Sequence, residues 1–157
     1  MTTDDYSSNQ GLMMGPARFD KFILPGVVRQ VEAAHARGGY FIKHTDGNVW
    51  SILDPLVEAG IDGWHGIQPS IGMDPRVLKE RFRGRLCLFG GVNCEMLVAG
   101  TPEDAREEVR YAIHQAAPGG GLVVACGNVL QPGTRLENYL AARQAVRDFG
   151  AYPIATS

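Results

Sequence analysis

Short apolar runs alternate with longer amphipathic stretches along most of the chain. The runs are Tyr40–His44, Ile61–Ile67, Leu86–Phe89 and Leu122–Cys126. Each follows a glycine-containing turn, at Gly38-Gly39, Gly60, Gly84 and Gly119-Gly120-Gly121. A continuous apolar run of this length between turn residues is the pattern of a strand buried in a parallel sheet. The intervening stretches are helical. The first covers about 16–36 and is expected to break near Pro25, since proline removes a donor and clashes with the preceding turn. The second covers about 49–59. The third opens at Asp74-Pro75, an N-cap followed by proline at the first helical position. The fourth opens at Thr101-Pro102-Glu103-Asp104 and the fifth at Thr134-Arg135-Leu136-Glu137, both with capping-box spacing. On the fourth, Ala105, Val109, Ala112, Ile113 and Ala116 form one stripe that should pack on a sheet.

The order is therefore a helix, then strand-helix four times. Repeated right-handed βα units imply an α/β fold with a parallel sheet, open or part of a barrel. A full (β/α)8 barrel takes about 250 residues. This chain has 157. A single domain over 1–157 is expected, with a leading segment at 1–15 and room for about half of such a barrel or for an open sheet. The 45% hydrophobic content supplies a core and excludes wholesale disorder. A net charge of -2 gives no electrostatic footprint for nucleic acid or an anionic membrane. No apolar run approaches the roughly 20 residues of a membrane helix. The acidic, polar start MTTDDYSSNQ is not a signal peptide. Three widely spaced cysteines (Cys87, Cys94, Cys126) make no disulfide framework, so a cytoplasmic location is expected. No GxGxxG follows a strand and no GxxxxGK[ST] occurs, which removes the strongest support for nucleotide binding.

In parallel α/β folds the ligand sits at the carboxyl ends of the strands. Each apolar run here turns polar at that end: His44-Thr45-Asp46-Gly47-Asn48, then Gln68-Pro69 with Gly72-Met73-Asp74, then Gly90 through Glu95, then Cys126-Gly127-Asn128. His44, Asp46, Gln68, Asn93 and Asn128, with Asn48 beside them, are expected to converge on one cleft. His44 and Asp46 are two apart and so project to one side. They could ligate a metal together, or Asp46 could orient His44 as an acid or base, or the pair could be a buried histidine held by a turn aspartate. Cys126 and Asn128 stand in the same relation. Cys126 is a candidate thiolate ligand or a core residue, and Asn128 a ligand contact or a turn former. His65 faces the site or stacks in the barrel. Cys94 follows Asn93 at a strand end, and Cys87 reads as core. Trp50 and Trp64 read as packing residues, with Trp50 able to wall a pocket. His35 and His114 lie late in helices, where a cation suits the dipole.

Taken in order, these segments resemble the uroporphyrinogen decarboxylase superfamily, which includes the corrinoid-dependent methyltransferases. The matching stretches are Gln10 through Pro16, His44 through Asn48, Ile67-Gln68-Pro69 with Gly72 through Pro75, and Phe89 through Asn93. They continue with Gly100 through Glu103, Gly119-Gly120-Gly121, and Pro132 through Tyr139. The stretches correspond to the C-terminal half of the family's barrel, so the resemblance implies an α/β fold of parallel βα repeats forming the C-terminal half of a TIM (β/α)8 barrel. The resemblance implies methyl transfer through a corrinoid, or decarboxylation of a porphyrinogen by a carboxy-lyase. The methyltransferase branch uses zinc, held by a His-x-Cys motif and a cysteine on the last strand. Here the first motif reads His44-x-Asp46, and Asn128 stands at the last cysteine position with Cys126 two residues earlier. A modified zinc site of His44, Asp46 and Cys126 is what the resemblance implies. The decarboxylase branch uses an arginine-rich N-terminal segment and an aspartate. Asp4-Asp5 is a poor counterpart for that aspartate. A small molecule or a corrinoid protein is the implied substrate.

Four βα units leave two open sheet edges, nearest Tyr40 and Leu122. They also leave barrel-facing side chains such as Ile42, Leu88 and Val124 uncovered. A homodimer through the open half-barrel face is expected, or a partner chain that completes it, with the leading segment covering an edge.

Overall fold

The computed structural model describes residues 1–154, so the last three positions of the expected 1–157 domain lie outside the described residues. The strands are β1 (Thr2–Thr3), β2 (Ser7–Ser8), β3 (Gly11–Leu12), β4 (Ile42–His44), β5 (Gly63–Ile67), β6 (Cys87–Val92) and β7 (Leu122–Cys126). The helices are α1 (Pro16–Arg18), α2 (Leu24–His35), α3 (Trp50–Glu58), α4 (Pro75–Phe82), α5 (Cys94–Ala99), α6 (Pro102–Ala116) and α7 (Leu136–Phe149). Five strands form one parallel sheet in the order β1-β4-β5-β6-β7, while β2 and β3 make a small antiparallel hairpin. Helices alternate with the strands of this α/β fold, which is a partial TIM barrel.

Local signals account for much of this. Asp74 caps α4 by accepting from the amides of Arg76 (2.7 Å) and Val77. Thr101 and Asp104 form the capping box of α6. Its stripe Ala105, Val109, Ala112, Ile113 and Ala116 is buried. Three expectations are corrected. The break in the first helix comes before Pro25: a widened π turn spans Phe19–Ile23, and Pro25 sits in the first turn of α2, where its missing donor costs nothing. Thr134 does not cap the last helix. Arg135 is the cap residue without a side-chain bond, and buried Asn138 ties α7 down by donating to the carbonyls of Gly100 (2.8 Å) and Leu97 (3.3 Å). The sheet has a fifth strand. Thr2 and Thr3 pair with Lys43 and His44, so the leading segment covers the edge nearest Tyr40 within its own chain.

The strand register decides which side chains face the helices. Lys43, Trp64, Leu88 and Leu122 form one cross-strand row, and His44, His65, Phe89 and Val123 the next. Trp64 and Leu88 are buried in the main core with Phe19, Leu53, Leu56 and Phe82. Leu122, Val124 and Cys126 pack toward a second core of Val109, Ile113, Ala142 and Ala145. Leu88 and Val124 are therefore covered by helices and are not the barrel-facing residues. Ile42, Cys87, Phe89 and Val123 are. Val123 is 43% exposed. Ile42, Cys87 and Phe89 line an open cavity of about 720 Å³ with Lys79, Arg83 and Arg85. Cys87 is thus half-buried on the open face and not a core residue. Among the described residues no helix is long and apolar enough to cross a membrane.

Candidate active site

The carboxyl ends of β4 and β5 and the segment after β7 build one polar cluster, and the leading segment closes over it. Tyr6 N–H donates to Thr45 Oγ1 (3.2 Å), Asn48 N–H to the Ser8 carbonyl (2.9 Å) and Asp46 N–H to Asp5 Oδ1 (3.1 Å). Gly47 is required at this crossing. Its φ is +86°, and a Cβ there would lie 2.7 Å from the Ser8 carbonyl oxygen. Gly66 lies at a register irregularity between His65 and Ile67 with φ +123°, and a Cβ would collide with the Thr45 carbonyl.

His44 is buried, with its Nε2 3.6 Å from Asp46 Oδ1 and 3.9 Å from Asp5 Oδ1. Its Nδ1 lies 2.6 Å from Nδ1 of His65, whose Nε2 reaches the Cys126 carbonyl at 3.1 Å. Asn128 Nδ2 donates to Asp46 Oδ2. Gln68 Oε1 accepts from Gly47 N–H at 2.7 Å. Asp46 Oδ1 is buried without a hydrogen-bond partner. Burial pushes the Asp46 carboxyl above the usual carboxylate range, and the charge of Asp5 adds to this against the opposing pull of His44 and Asn128. Burial, then the charge of His44, holds His65 below the usual imidazole range.

The structure thus brings His44, Asp46, Gln68 and Asn128 together. Asn48 is at the rim as a turn former, its Oδ1 accepting from Trp50 N–H (3.3 Å). Asn93 is not part of the cluster. It starts α5, its backbone and side-chain amides both donate to the half-buried Glu108 of α6, and its Oδ1 accepts from Ser70 N–H (3.3 Å). Cys126 faces the helices, with its Sγ 3.5 Å from the Asn128 carbonyl. Cys94 likewise contacts the Val129 carbonyl (3.5 Å), and burial raises its thiol pKa. Trp64 is a packing residue that also donates to the Thr45 carbonyl (3.1 Å), and Trp50 donates to that of Gly72 (3.2 Å). His35 pairs with Asp62 at 2.8 Å, far along the sheet from this cluster.

Among the described residues, the cluster of metal-capable donors is Asp5, His44 and Asp46, with ligand atoms within 4.8 Å of one another. Cys126 is outside it. Two carboxylates and an imidazole are hard to borderline donors. They do not fit the thiolate-bearing zinc site that the resemblance implies. Asp5 is the residue that sequence reasoning undervalued. Its signal was the Asp4-Asp5 pair beside a stretch matching the family, but only the pairing of β1 with β4 shows where that pair lands.

The family model described as uroporphyrinogen decarboxylase (URO-D) matches residues 1–149. Among solved structures, a methyltransferase from Methanosarcina mazei superposes with a TM-score of 0.75 at 27% sequence identity. That match covers 95% of this chain and 41% of the other, so this chain spans about two fifths of that protein. No curated protein gives a significant match.

Proposed function

Because this chain belongs to the uroporphyrinogen decarboxylase family, we propose that it forms the carboxyl-end half of a methyltransferase-like active face. The substrate is a methyl acceptor with an acidic X–H group, such as a thiol. A corrinoid, when bound, would supply the methyl group as a cation equivalent and keep the electron pair of its own methyl bond. The residues of this chain position the acceptor and handle its proton. His44 Nε2 would take that proton, leaving the X–H electron pair on the acceptor. Asp5 and Asp46 then face the imidazolium that forms and stabilise it. Asn128 fixes Asp46 and Gln68 fixes the backbone at Gly47, which holds the base in place. No step runs through zinc, since the cluster has no thiolate. The observation that carries this reading is the convergence of Asp5, His44, Asp46 and Asn128 at the carboxyl strand ends of a chain similar to a methyltransferase over 95% of its length.

The same reading asks for a partner. Val123 and the wall of the large cavity lie on the face that a full barrel would enclose, and β7 is an edge strand of the sheet. A second copy covering that face, as a homodimer, buries Val123 and the cavity wall; a chain supplying the missing βα units, which would also pair the β7 edge, is the alternative.

The test supplies purified protein with methylcobalamin and a thiol and follows thioether formation. Turnover above the protein-free rate, reduced at least ~10²-fold in His44→Ala, is expected, the usual worth of a general base. A protein-free rate in a preparation that light scattering shows to be assembled would overturn the reading. Carbon dioxide release from a porphyrinogen, with no methyl transfer, would assign it to the carboxy-lyase branch.

A further inference from the structure

His44 and His65 stand opposite each other in one cross-strand row. Their Nδ1 atoms are 2.6 Å apart, a separation that accommodates one proton and excludes two. The other nitrogen of His65, Nε2, lies 3.1 Å from the Cys126 carbonyl oxygen. A carbonyl only accepts, so His65 Nε2 carries a proton. One question remains, which ring owns the proton between the two Nδ1 atoms. If His65 owned it, His65 would be an imidazolium with its far nitrogen on a backbone carbonyl. His44, whose Nε2 is 3.6 Å and 3.9 Å from two carboxylates, would then be the neutral ring. Coulomb energy favours the reverse, because any positive charge belongs beside Asp5 and Asp46. So His65 is the acceptor and His44 the donor in this contact.

We infer that His65 is a positioning residue: it holds His44 as the Nδ1–H tautomer and so leaves Nε2 as the ring nitrogen turned toward Asp5 and Asp46. His44 Nε2 makes no hydrogen bond among the described residues, although the side chain is only 10% exposed. A neutral His44 therefore presents a bare lone pair where a reacting proton would arrive. Without an acceptor at Nδ1, the proton would move to Nε2, where two carboxylates can receive it, and the ring could no longer act as a base at that atom. The functional meaning of this arrangement rests on the methyltransferase-like reading above. The tautomer itself does not.

The experiment is a long-range proton–nitrogen correlation spectrum of the full chain with 15N-labelled histidine. It is recorded near pH 9, well above the ordinary imidazole pKa of about 6.5. The chain has four histidines, and the His44 signals are assigned by their loss in His44→Gln. The expected result is a His44 proton on Nδ1 in the wild type, and on Nε2 in His65→Leu, which keeps bulk but offers no acceptor. His65→Gln, whose amide oxygen can accept, should return the proton to Nδ1. A wild-type His44 protonated at Nε2 overturns the inference, and so does a His65→Leu protein that keeps the Nδ1 proton. Should His65→Leu not fold, the wild-type spectrum alone decides. Failure of methyl transfer would leave this spectrum as expected, so the two readings fail separately.

Discussion

Replacing Gly47 with alanine should loosen the leading segment from the active-site loop. Gly47 has φ +86°, and an added Cβ would meet the Ser8 carbonyl oxygen at 2.7 Å and its carbon at 2.8 Å. Left-handed backbone costs a non-glycine residue roughly 1–2 kcal/mol. The Ser8 carbonyl also accepts from Asn48 N–H at 2.9 Å, and pushing it away weakens a bond worth about 0.5–1.5 kcal/mol. Against this, alanine restricts the unfolded chain and returns about 0.4–1 kcal/mol. The net cost is about 2 kcal/mol. Gly72 supplies the control, because its φ is +85° and a Cβ there meets nothing within 4 Å. Gly72→Ala should lose only the conformational part, about 1 kcal/mol or less. With a urea m-value near 2 kcal/mol/M, the midpoint should fall by about 1 M for Gly47→Ala and by roughly half that or less for Gly72→Ala. Both are measured at one protein concentration, so that assembly contributes equally. Equal shifts in the two variants would refute the claim that the hairpin of β2 and β3 rests on Gly47.

Four further outcomes follow from the same geometry. The carboxyl of Asp62 is opposed by burial, yet hydrogen bonds from Phe41 N–H (2.6 Å) and His35 hold it below the usual range. A lowered carboxylate stabilises the fold above its unfolded pKa near 3.8 and loses that contribution as pH falls through the folded value, so acid unfolding of Asp62→Asn should be less steep in that window than wild type. Glu108 has the opposite sign: burial raises its pKa despite the bonds from Asn93, so its contribution is largest below about 4.5 and declines as pH rises through the folded value; Glu108→Gln should flatten that decline in a denaturation series. Chelator-treated protein should keep its methyl transfer, because His44 Nε2 acts as the base and the cluster offers no thiolate for zinc; activity lost with the chelator and restored by zinc would argue for a thiolate site after all. Light scattering should give twice 17.0 kDa for the wild type and a monomer for Val123→Arg, whose charge would sit in the covered face; a wild-type monomer would sink the homodimer.

How much of this was legible in the sequence depends on whether the signal was local. The strands β4 to β7 and helices α4 and α6 were, because long apolar runs and caps such as Asp74 and Thr101 act within a few residues. β1 was not. Two threonines have no period, and they pair with β4 beside long-range contacts: Asp4 to Lys43, 39 residues apart, at 3.1 Å, with Lys43 Nζ 4.6 Å from the centre of the Tyr6 ring. Asp5 went undervalued for the same reason. Facing was lost in a different way. Leu122-Val123-Val124-Ala125-Cys126 is apolar throughout, so it carries no alternation from which parity could be read. Only the register with β6 turns Val124 and Cys126 toward the helices and Val123 toward the open face. The polar strand ends were readable, since a switch from apolar to polar is local, but Asn93 shows the limit. Its amide is committed to Glu108, fifteen residues along, and sequence position alone does not separate a ligand contact from a brace.

The fifth strand changes what can complete the molecule. Four strands per chain would let two copies close edge to edge as an eight-stranded barrel. Five strands per chain give ten, and strand number, tilt and shear are linked in a closed barrel. The edge at β4 is in any case occupied by β1, and β1 is itself only two residues long, a poor template for extended pairing. Two copies are therefore expected to meet face to face over Val123, Phe89 and Ile42 and not to share strands. A partner that closes the eight-stranded form must instead bring three strands, fitted between β7 and β1. The two assemblies differ at the β7 edge. In the first its outer backbone amides stay exposed to water, and in the second they enter a ladder. Hydrogen exchange at Leu122 and Val124, whose amides point away from β6 in this register, distinguishes them in the assembled protein: rapid exchange on that edge fits the face-to-face pair, and protection comparable to β6 requires strands supplied from elsewhere.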